Sequence, residues 1–314
     1  MALPHTYRVT QYDPNDRDKN GYYVGTLDVI SDEGPREAAY LAAVEAFALE
    51  LGVTHLTVRE PRFNHEHTPD EALLPSEHWL ARLFGTDLAG FVDGAEVDLA
   101  GAQLLVRDML RDPEQRCWLE AAGRMRVEVG WDMYMFISTG QPCPDAMNTT
   151  RASGIFPEPW PTRAEDDDED DLVRRPVDAQ FWAEVDTLVA ARSAVLLQEF
   201  AAWTRWHRLT PSTPHPQLRR RAAVWVWPDV HPDANAALAD IPSDEHVEVA
   251  WLSEDGELHV DSLVPEDEPA TLRALRAEAS GARWWHGTDE DPPPLLEAAQ
   301  PDEDGIVRAR WRHW

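Results

Sequence analysis

The stretch Glu165-Asp166-Asp167-Asp168-Glu169-Asp170-Asp171 contains seven consecutive acidic residues and separates the chain into two halves. Prolines precede it at positions 157, 159 and 161, and Arg174-Arg175-Pro176 follow it. A run of like charges repels itself and offers no face that a helix or strand could bury. We therefore predict an N-terminal domain at 1–157, a linker at 158–176 and a C-terminal domain at 177–314.

The composition is that of an acidic globular protein. The chain has 314 residues, 43% of them hydrophobic, which suffices for two cores. Its formal net charge is −30, and both halves are acidic: residues 1–160 carry 13 basic and 26 acidic side chains, and residues 172–314 carry 14 and 25. Such a surface attracts basic proteins or peptides and repels phosphate backbones. Solubility alone is the competing explanation of this charge.

Several functional classes are disfavoured by what the sequence lacks. The first residues show no basic segment followed by an apolar one, and no run approaches the roughly 20 apolar residues of a membrane span. We therefore expect a cytoplasmic protein without a membrane partner. Two cysteines, Cys117 and Cys143, are too few for a disulfide framework. The sequence also has no glycine-rich phosphate loop, so we expect no nucleotide cofactor.

The N-terminal half predicts a mixed α+β domain. Alternating β-branched and aromatic residues indicate strands at 7–12 and 22–29, and apolar residues at helical spacing indicate a helix from Pro35 to Gly52. A strand at 53–58 follows. Further elements are predicted as a helix near 76–84, a helix at 99–111, and an antiparallel meander at 116–120, 124–129 and 133–138.

Short motifs in this half carry a family resemblance. They are Tyr12-Asp13-Pro14-x-Asp16-Arg17-Asp18, Gly21-Tyr22-x-x-Gly25, Ser31-Asp32-x-Gly34-Pro35-x-Glu37-Ala38-Ala39-Tyr40-Leu41, Val58-Arg59-Glu60-Pro61, Asp93-Gly94-Ala95-x-Val97 and Gly130-Trp131-Asp132-x-Tyr134. Residues 7–157 together resemble a group of small uncharacterised actinobacterial proteins, some of which are labelled RNA-binding. The resemblance implies RNA as a ligand without assigning it to particular residues.

The C-terminal half predicts a long helix followed by a ferredoxin-like sheet. Apolar residues form a wide stripe from Val177 to about Leu209, which indicates one continuous helix. Strand, helix, strand, strand, helix and strand then follow at 222–227, 233–239, 245–252, 257–264, 269–280 and 283–286. This is the ferredoxin-like βαββαβ order. A last strand is predicted at 306–311.

Two stretches carry residues of the type that bind metal ions. Asp16-x-Asp18-x-Asn20-Gly21 has the spacing that opens an EF-hand loop, but Leu27 stands where a bidentate Glu would close it. A looser Ca²⁺ loop and a hairpin loop with local Asx hydrogen bonds are the alternatives. His65-x-His67 with His78 could bind Zn²⁺, or could lie in a solvated polar loop.

Tryptophans and a basic cluster mark a candidate binding surface in the C-terminal half. Arg219-Arg220-Arg221 is the one dense group of cations. An open aromatic sheet face beside it could stack RNA bases or anchor a protein partner, whereas a face covered by the long helix would be core. The tryptophans proposed for this face are Trp225, Trp227, Trp251 and Trp285.

No stretch assigns catalytic residues, and an enzyme is the less favoured class. We expect a non-enzymatic cytoplasmic protein that binds a basic protein or peptide, in an immunity, antitoxin or adaptor role. The alternative is an RNA-binding protein that uses the tryptophan-rich domain. A metal-dependent enzyme of unrecognised type is the third hypothesis.

Overall fold

The computed structural model describes residues 3–63, 74–111, 115–161, 172–286 and 291–313. The chain divides into two compact units: Met1–Leu172 with Ala201–Trp203, and Val173–Phe200 with Thr204–Trp314. Every sheet in the described residues is antiparallel and helices accompany each sheet, so the predicted α+β class is confirmed. The acidic run at 165–171 lies outside the described residues, and the predicted linker stays a prediction.

The described residues of the first unit form one seven-stranded sheet and four α-helices. Its strands are β1 (His5–Thr10), β2 (His55–Phe63), β3 (Glu96–Asp98), β4 (Gln115–Ala121), β5 (Met125–Val129), β6 (Met135–Thr139) and β7 (Phe156–Trp160). They lie in the order β3-β2-β4-β5-β6-β1-β7. The helices are α1 (Pro35–Glu50), α2 (Trp79–Phe84), α3 (Leu99–Leu110) and α4 (Pro144–Ala152).

Alternation along the strands places the core of this unit on one face of the sheet. The odd-numbered residues of β4, β5 and β6 are buried, and their register places Leu119 beside Val127 and Val127 beside Ile137. Helix α1 packs on this face, where the rings of Tyr7 and Phe47 lie 5.2 Å apart. The predicted helix and meander are confirmed because local periodicity matches the buried face.

The strand predicted at 22–29 does not form. Strand β1 already pairs with β6 on one side and with β7 on the other, so no sheet edge is open beside it. The sequence did not indicate β7 because it contains Pro157 and Pro159. Both prolines are tolerated because β7 is an edge strand, which needs hydrogen bonds on one side only.

In the second unit, the part of the chain that the structure describes forms two sheets and three α-helices. Its elements are α5 (Ala179–Arg192), β8 (Val195–Phe200), β9 (Thr204–Leu209), β10 (Ala223–Pro228), α6 (Ala234–Ala237), β11 (Val247–Leu252), β12 (Leu258–Leu263), α7 (Pro269–Glu278), β13 (Gly281–Trp285) and β14 (Leu296–Ala299). One sheet has the order β14-β10-β8-β9 and the other β12-β11-β13.

These elements form four layers. One face of the four-stranded sheet packs on α5 through residues such as Val224 and Phe181. Its other face, with Trp225 and Trp227, shares a core with Trp285 of the three-stranded sheet. The far face of that second sheet is covered by α6 and α7. The four-stranded sheet is therefore covered on both faces, by α5 on one side and by the three-stranded sheet on the other.

Three predictions for this half are wrong. The long helix ends at Arg192, because Ser193 adopts a left-handed conformation with φ of 72° and the chain turns into β8. The ferredoxin-like sheet is not formed, since β10 belongs to one sheet and β11 to β13 belong to the other. Residues 306–311 form no strand. The edge strand beside β10 in the four-stranded sheet is β14.

The error at 177–209 has a physical cause. Residues 195–199 are all buried, so β8 shows a continuous apolar run instead of alternation. Such a run is compatible with either a buried helix or a buried strand. Packing of β8 between α5 and the second sheet selects the strand.

Candidate functional site

Three of the four tryptophans proposed for an open sheet face are core residues. Trp225, Trp227 and Trp285 are buried between the two sheets of the second unit. The indole Nε1 of Trp227 donates a hydrogen bond to Gln198 Oε1 at 2.9 Å. These rings therefore stabilise the fold and do not offer a surface for stacking.

Trp251 is the one member of the set that is partly exposed. Its indole Nε1 donates to Asp261 Oδ2 at 2.9 Å, and its ring stacks on His259 with centroids 4.4 Å apart. Both partners come from β12: His259 lies directly opposite Trp251, and Asp261 lies two residues further along the same strand. Cross-strand contacts already occupy the ring and its polar edge.

Arg219 is held by a buried carboxylate. Its backbone N–H and its Nε both donate to Glu199 Oε1, at 2.7 and 2.8 Å. His207 Nε2 lies 3.0 Å from the other oxygen of the same carboxylate. Burial raises the pKa of Glu199, but the hydrogen bonds and charges of His207 and Arg219 outweigh it and hold the pKa at about 2.

The other two arginines of the cluster converge on Asp302. Arg221 Nη2 lies 2.9 Å from Asp302 Oδ2, and Arg220 Nε lies 3.3 Å from Oδ1. Arg308 Nη1 donates to the same carboxylate at 2.9 Å. The hydrogen bonds from Arg221 and its neighbours lower the pKa of Asp302 well below its usual range. A phosphate group would have to compete with carboxylates for every arginine of the cluster.

The candidate Ca²⁺ loop forms a turn in which the Asp18 carboxylate makes local hydrogen bonds to the backbone. Asp18 Oδ1 accepts from the backbone N–H groups of Asn20 and Tyr22, at 2.8 and 3.0 Å. The carbonyl oxygen of Asp16 accepts from the N–H of Val24 at 2.9 Å. Within the described ranges, no three His, Cys, Asp or Glu residues are arranged to hold a metal ion.

Of the three candidate zinc ligands, His78 is the one that the structure describes. His65 and His67 lie outside the described residues. His78 caps the N-terminus of α2, where its Nδ1 accepts a hydrogen bond from the N–H of Leu80 at 3.3 Å. A zinc site that uses the first two histidines stays a prediction.

An exposed apolar surface in the first unit was not singled out from the sequence. We name it the apolar loop surface, and its residues are at least half exposed, from 51% for Val29 to 79% for Trp131. Several exposed apolar side chains on and beside one loop make it a candidate interaction site. The signal in the sequence is a run of apolar residues among Asp and Gly that finds no strand partner. The surface comprises Tyr22, Val24, Val29, Ile30 and Trp131.

Hydrogen bonds hold this loop against the sheet. Arg17 donates to both carboxylate oxygens of Glu158 in β7, at 3.2 and 2.7 Å. Gln11 Nε2 donates to the carbonyl oxygen of Asp28 at 2.6 Å and lies 3.4 Å from Met133 Sδ. Gln11 thus ties the loop to the segment that follows Trp131. These hydrogen bonds fix the position of the loop that carries the exposed apolar side chains.

The loop is also acidic. Residues 13–36 carry six acidic and three basic side chains. Two of the bases are engaged within the unit, since Arg17 pairs with Glu158 and Arg36 Nε lies 3.2 Å from Asp32 Oδ2. The remaining base is Lys19. The loop therefore carries a net negative charge, whereas Trp131 has the guanidinium of Arg116 over its ring, 4.8 Å from the centroid.

No protein-family model, curated protein or solved structure matches this chain. The resemblance of residues 7–157 to the actinobacterial proteins accordingly stays an expectation. Among the helices of the described residues, none has the length and apolarity needed to cross a membrane.

Proposed function

We propose that this chain is a non-enzymatic cytoplasmic binding protein that recognises a basic protein through the apolar loop surface. The observation that carries this proposal is the set of exposed apolar side chains held on an ordered, acidic loop. The role would be that of an immunity protein, antitoxin or adaptor whose acidic surface neutralises a basic partner.

The two features of the surface have separate effects on binding. Apolar and aromatic side chains provide most of the affinity when a partner covers them. The surrounding carboxylates steer a basic partner toward the surface and raise the association rate, and this effect weakens as salt rises. A partner surface with an apolar centre and a basic rim would match both the apolar side chains and the surrounding carboxylates.

RNA binding has less support from the contacts. The three arginines that would bind phosphate are paired with Glu199 or Asp302, and three of the four proposed stacking rings are buried. A metal-dependent enzyme would need the histidines at 65 and 67, whose placement is not described. We therefore favour the protein partner over both alternatives.

A pair of matched variants tests the proposal. Ile30 is 59% exposed on the apolar loop surface, and Ile306 is 53% exposed on the second unit. In capture from a lysate of the native host, Ile30→Asp should no longer bind the partner, whereas Ile306→Asp should still bind it. The bound partner should elute as salt rises. A captured fraction that contains RNA, is removed by ribonuclease and is unaffected by Ile30→Asp would contradict the proposal and favour the RNA alternative.

A further inference from the structure

Helix α1 carries a second stripe that is only partly buried in the unit. Tyr40, Val44 and Phe47 are fully buried and form the face that packs into the unit. Another set of residues follows the helical spacing of i, i+3, i+4 and i+7 on a different face. This second stripe consists of Ala42, Glu45, Ala46 and Leu49.

Helix α4 lies beside this stripe and completes a groove. It contributes Asp145, Ala146 and Thr149, and the open groove between the two helices has a volume of about 400 Å³. The N–H of Ala146 donates to Glu50 Oε2 at 2.6 Å, which ties the last turn of α1 to the first turn of α4. A single water takes about 30 Å³ in the liquid, so the groove has room for side chains.

The lining of the groove combines small apolar residues with negative charge. All three charged lining residues are acidic. Glu50 is engaged by α4, whereas Glu45 and Asp145 are exposed and form no ion pair with another described residue. Leu49 is 68% exposed. Leucine exposed to that degree beside alanines is an apolar surface without a cover in the described part of the chain.

We propose that the groove between α1 and α4 binds an amphipathic helix of a basic protein. Half-buried alanines at positions 42 and 46 allow close approach of a third helix, whose ridge can lie in the groove between two packed helices. Leu49 would pack on the apolar stripe of that helix. Lysine or arginine on its flanks would pair with Glu45 and Asp145.

Charge selects this occupant over a second copy of the same chain. Two copies would bring carboxylates together in a protein whose formal charge is −30. The inference rests on the proposed function, since it names a second contact for a basic partner. The groove is formed by residues other than those of the apolar loop surface, so the two can be tested separately.

The test uses the full chain and two synthetic peptides. Each peptide has the same alanine and leucine stripe at helical spacing, flanked by lysines in one and by glutamates in the other. We expect the lysine peptide to bind and to protect backbone amides of residues 42–50 and 145–149 from hydrogen exchange. The glutamate peptide should not bind. Absence of binding by the lysine peptide, or protection located elsewhere, would overturn the proposal.

Isosteric variants test the charge contacts. Glu45→Gln with Asp145→Asn should weaken binding of the lysine peptide about tenfold at low salt, because two exposed ion pairs are lost. The control removes the same two charges from exposed positions of the second unit, Glu278→Gln with Asp240→Asn, and should change affinity less than twofold. Equal weakening by both pairs would show nonspecific attraction and would overturn the proposal.

Two further variants separate the groove from the apolar loop surface. Leu49→Ser should weaken peptide binding about fivefold through lost apolar contact, and Ile30→Asp should leave it unchanged. If Ile30→Asp still captures the native partner and the lysine peptide still binds as expected, the proposed role of the apolar loop surface is wrong and the groove proposal is retained. If peptide binding fails while Ile30→Asp loses the partner, the groove fails alone.

Discussion

Arg219 donates two hydrogen bonds to a single oxygen of Glu199, from its backbone N–H at 2.7 Å and from its Nε at 2.8 Å. The Glu199 side chain is completely buried. This member of the proposed basic cluster therefore serves as the counter-ion of an interior carboxylate. Its removal would be expected to affect folding before it affects any ligand.

We expect Glu199→Gln to destabilise the protein by about 3–5 kcal/mol. The substitution leaves the largely buried guanidinium of Arg219 without its counter-charge, and breaking a buried pair from one side has a cost of this order. Chemical denaturation of the purified protein measures the change. Replacing both partners with apolar residues, as Glu199→Leu with Arg219→Met, should be less destabilising than Glu199→Gln alone. The reverse order would contradict a role for the pair in folding.

The same carboxylate predicts a pH dependence of stability. The pKa of Glu199 is about 2 in the folded chain, against about 4.3 for an unperturbed glutamate. The unfolded state binds the proton more readily, so this contribution is complete above about pH 5 and is lost as pH falls toward 2. The stability difference between wild type and Glu199→Gln should shrink over this range. A difference that is constant from pH 7 to pH 3 would contradict the prediction.

Arg220 allows a clean test for RNA, because it is the most exposed arginine of its cluster, with 58% of its side chain accessible. We expect Arg220→Ala to change the free energy of unfolding by less than about 0.5 kcal/mol, since an exposed ion pair contributes little. Binding of a basic protein should be equal or slightly stronger. If RNA were the ligand, the slope of log affinity against log salt would fall by about one.

Limited proteolysis should cleave within the predicted linker, between the end of β7 at Trp160 and the buried Val173. Acidic residues flanked by prolines bury little surface and repel one another, which makes such a segment accessible to a protease. Mass spectrometry of the fragments locates the cut, and circular dichroism of each fragment shows whether it folds. First cuts within 99–110 or 223–228, which are α3 and β10, would contradict the predicted domain boundaries.

Close packing of two turns gives a further prediction. A Cβ atom at Gly140 would lie 2.5 Å from the carbonyl oxygen of Gly123, a contact that requires the backbone to move. Gly140→Ala should therefore lower the free energy of unfolding by about 1–3 kcal/mol. Gly154→Ala is not a suitable control, because Gly154 has a φ of 87°. Exposed Ala89→Ser provides one and should be near neutral in the same thermal unfolding measurement.

The sequence by itself determined the α+β class and the elements whose faces are unequally buried. Helix α1 follows from apolar residues at helical spacing, and it ends where Gly52 adopts a left-handed φ of 64°. Strands β4 to β6 follow from strict alternation. In these elements one face meets the core and the other meets solvent, so the pattern of side chains records the local conformation.

Tertiary structure decided what the local pattern left ambiguous. The run at 195–199 became a strand because layers cover both of its faces, and residues 22–29 became a loop because β7 took the place beside β1. The partners of the arginines and the burial of the tryptophans depend on residues distant along the chain, as Arg221 and Asp302 show. The α1–α4 groove arises in the same way, since its two walls are about 100 residues apart and only packing of the helices brings their side chains together.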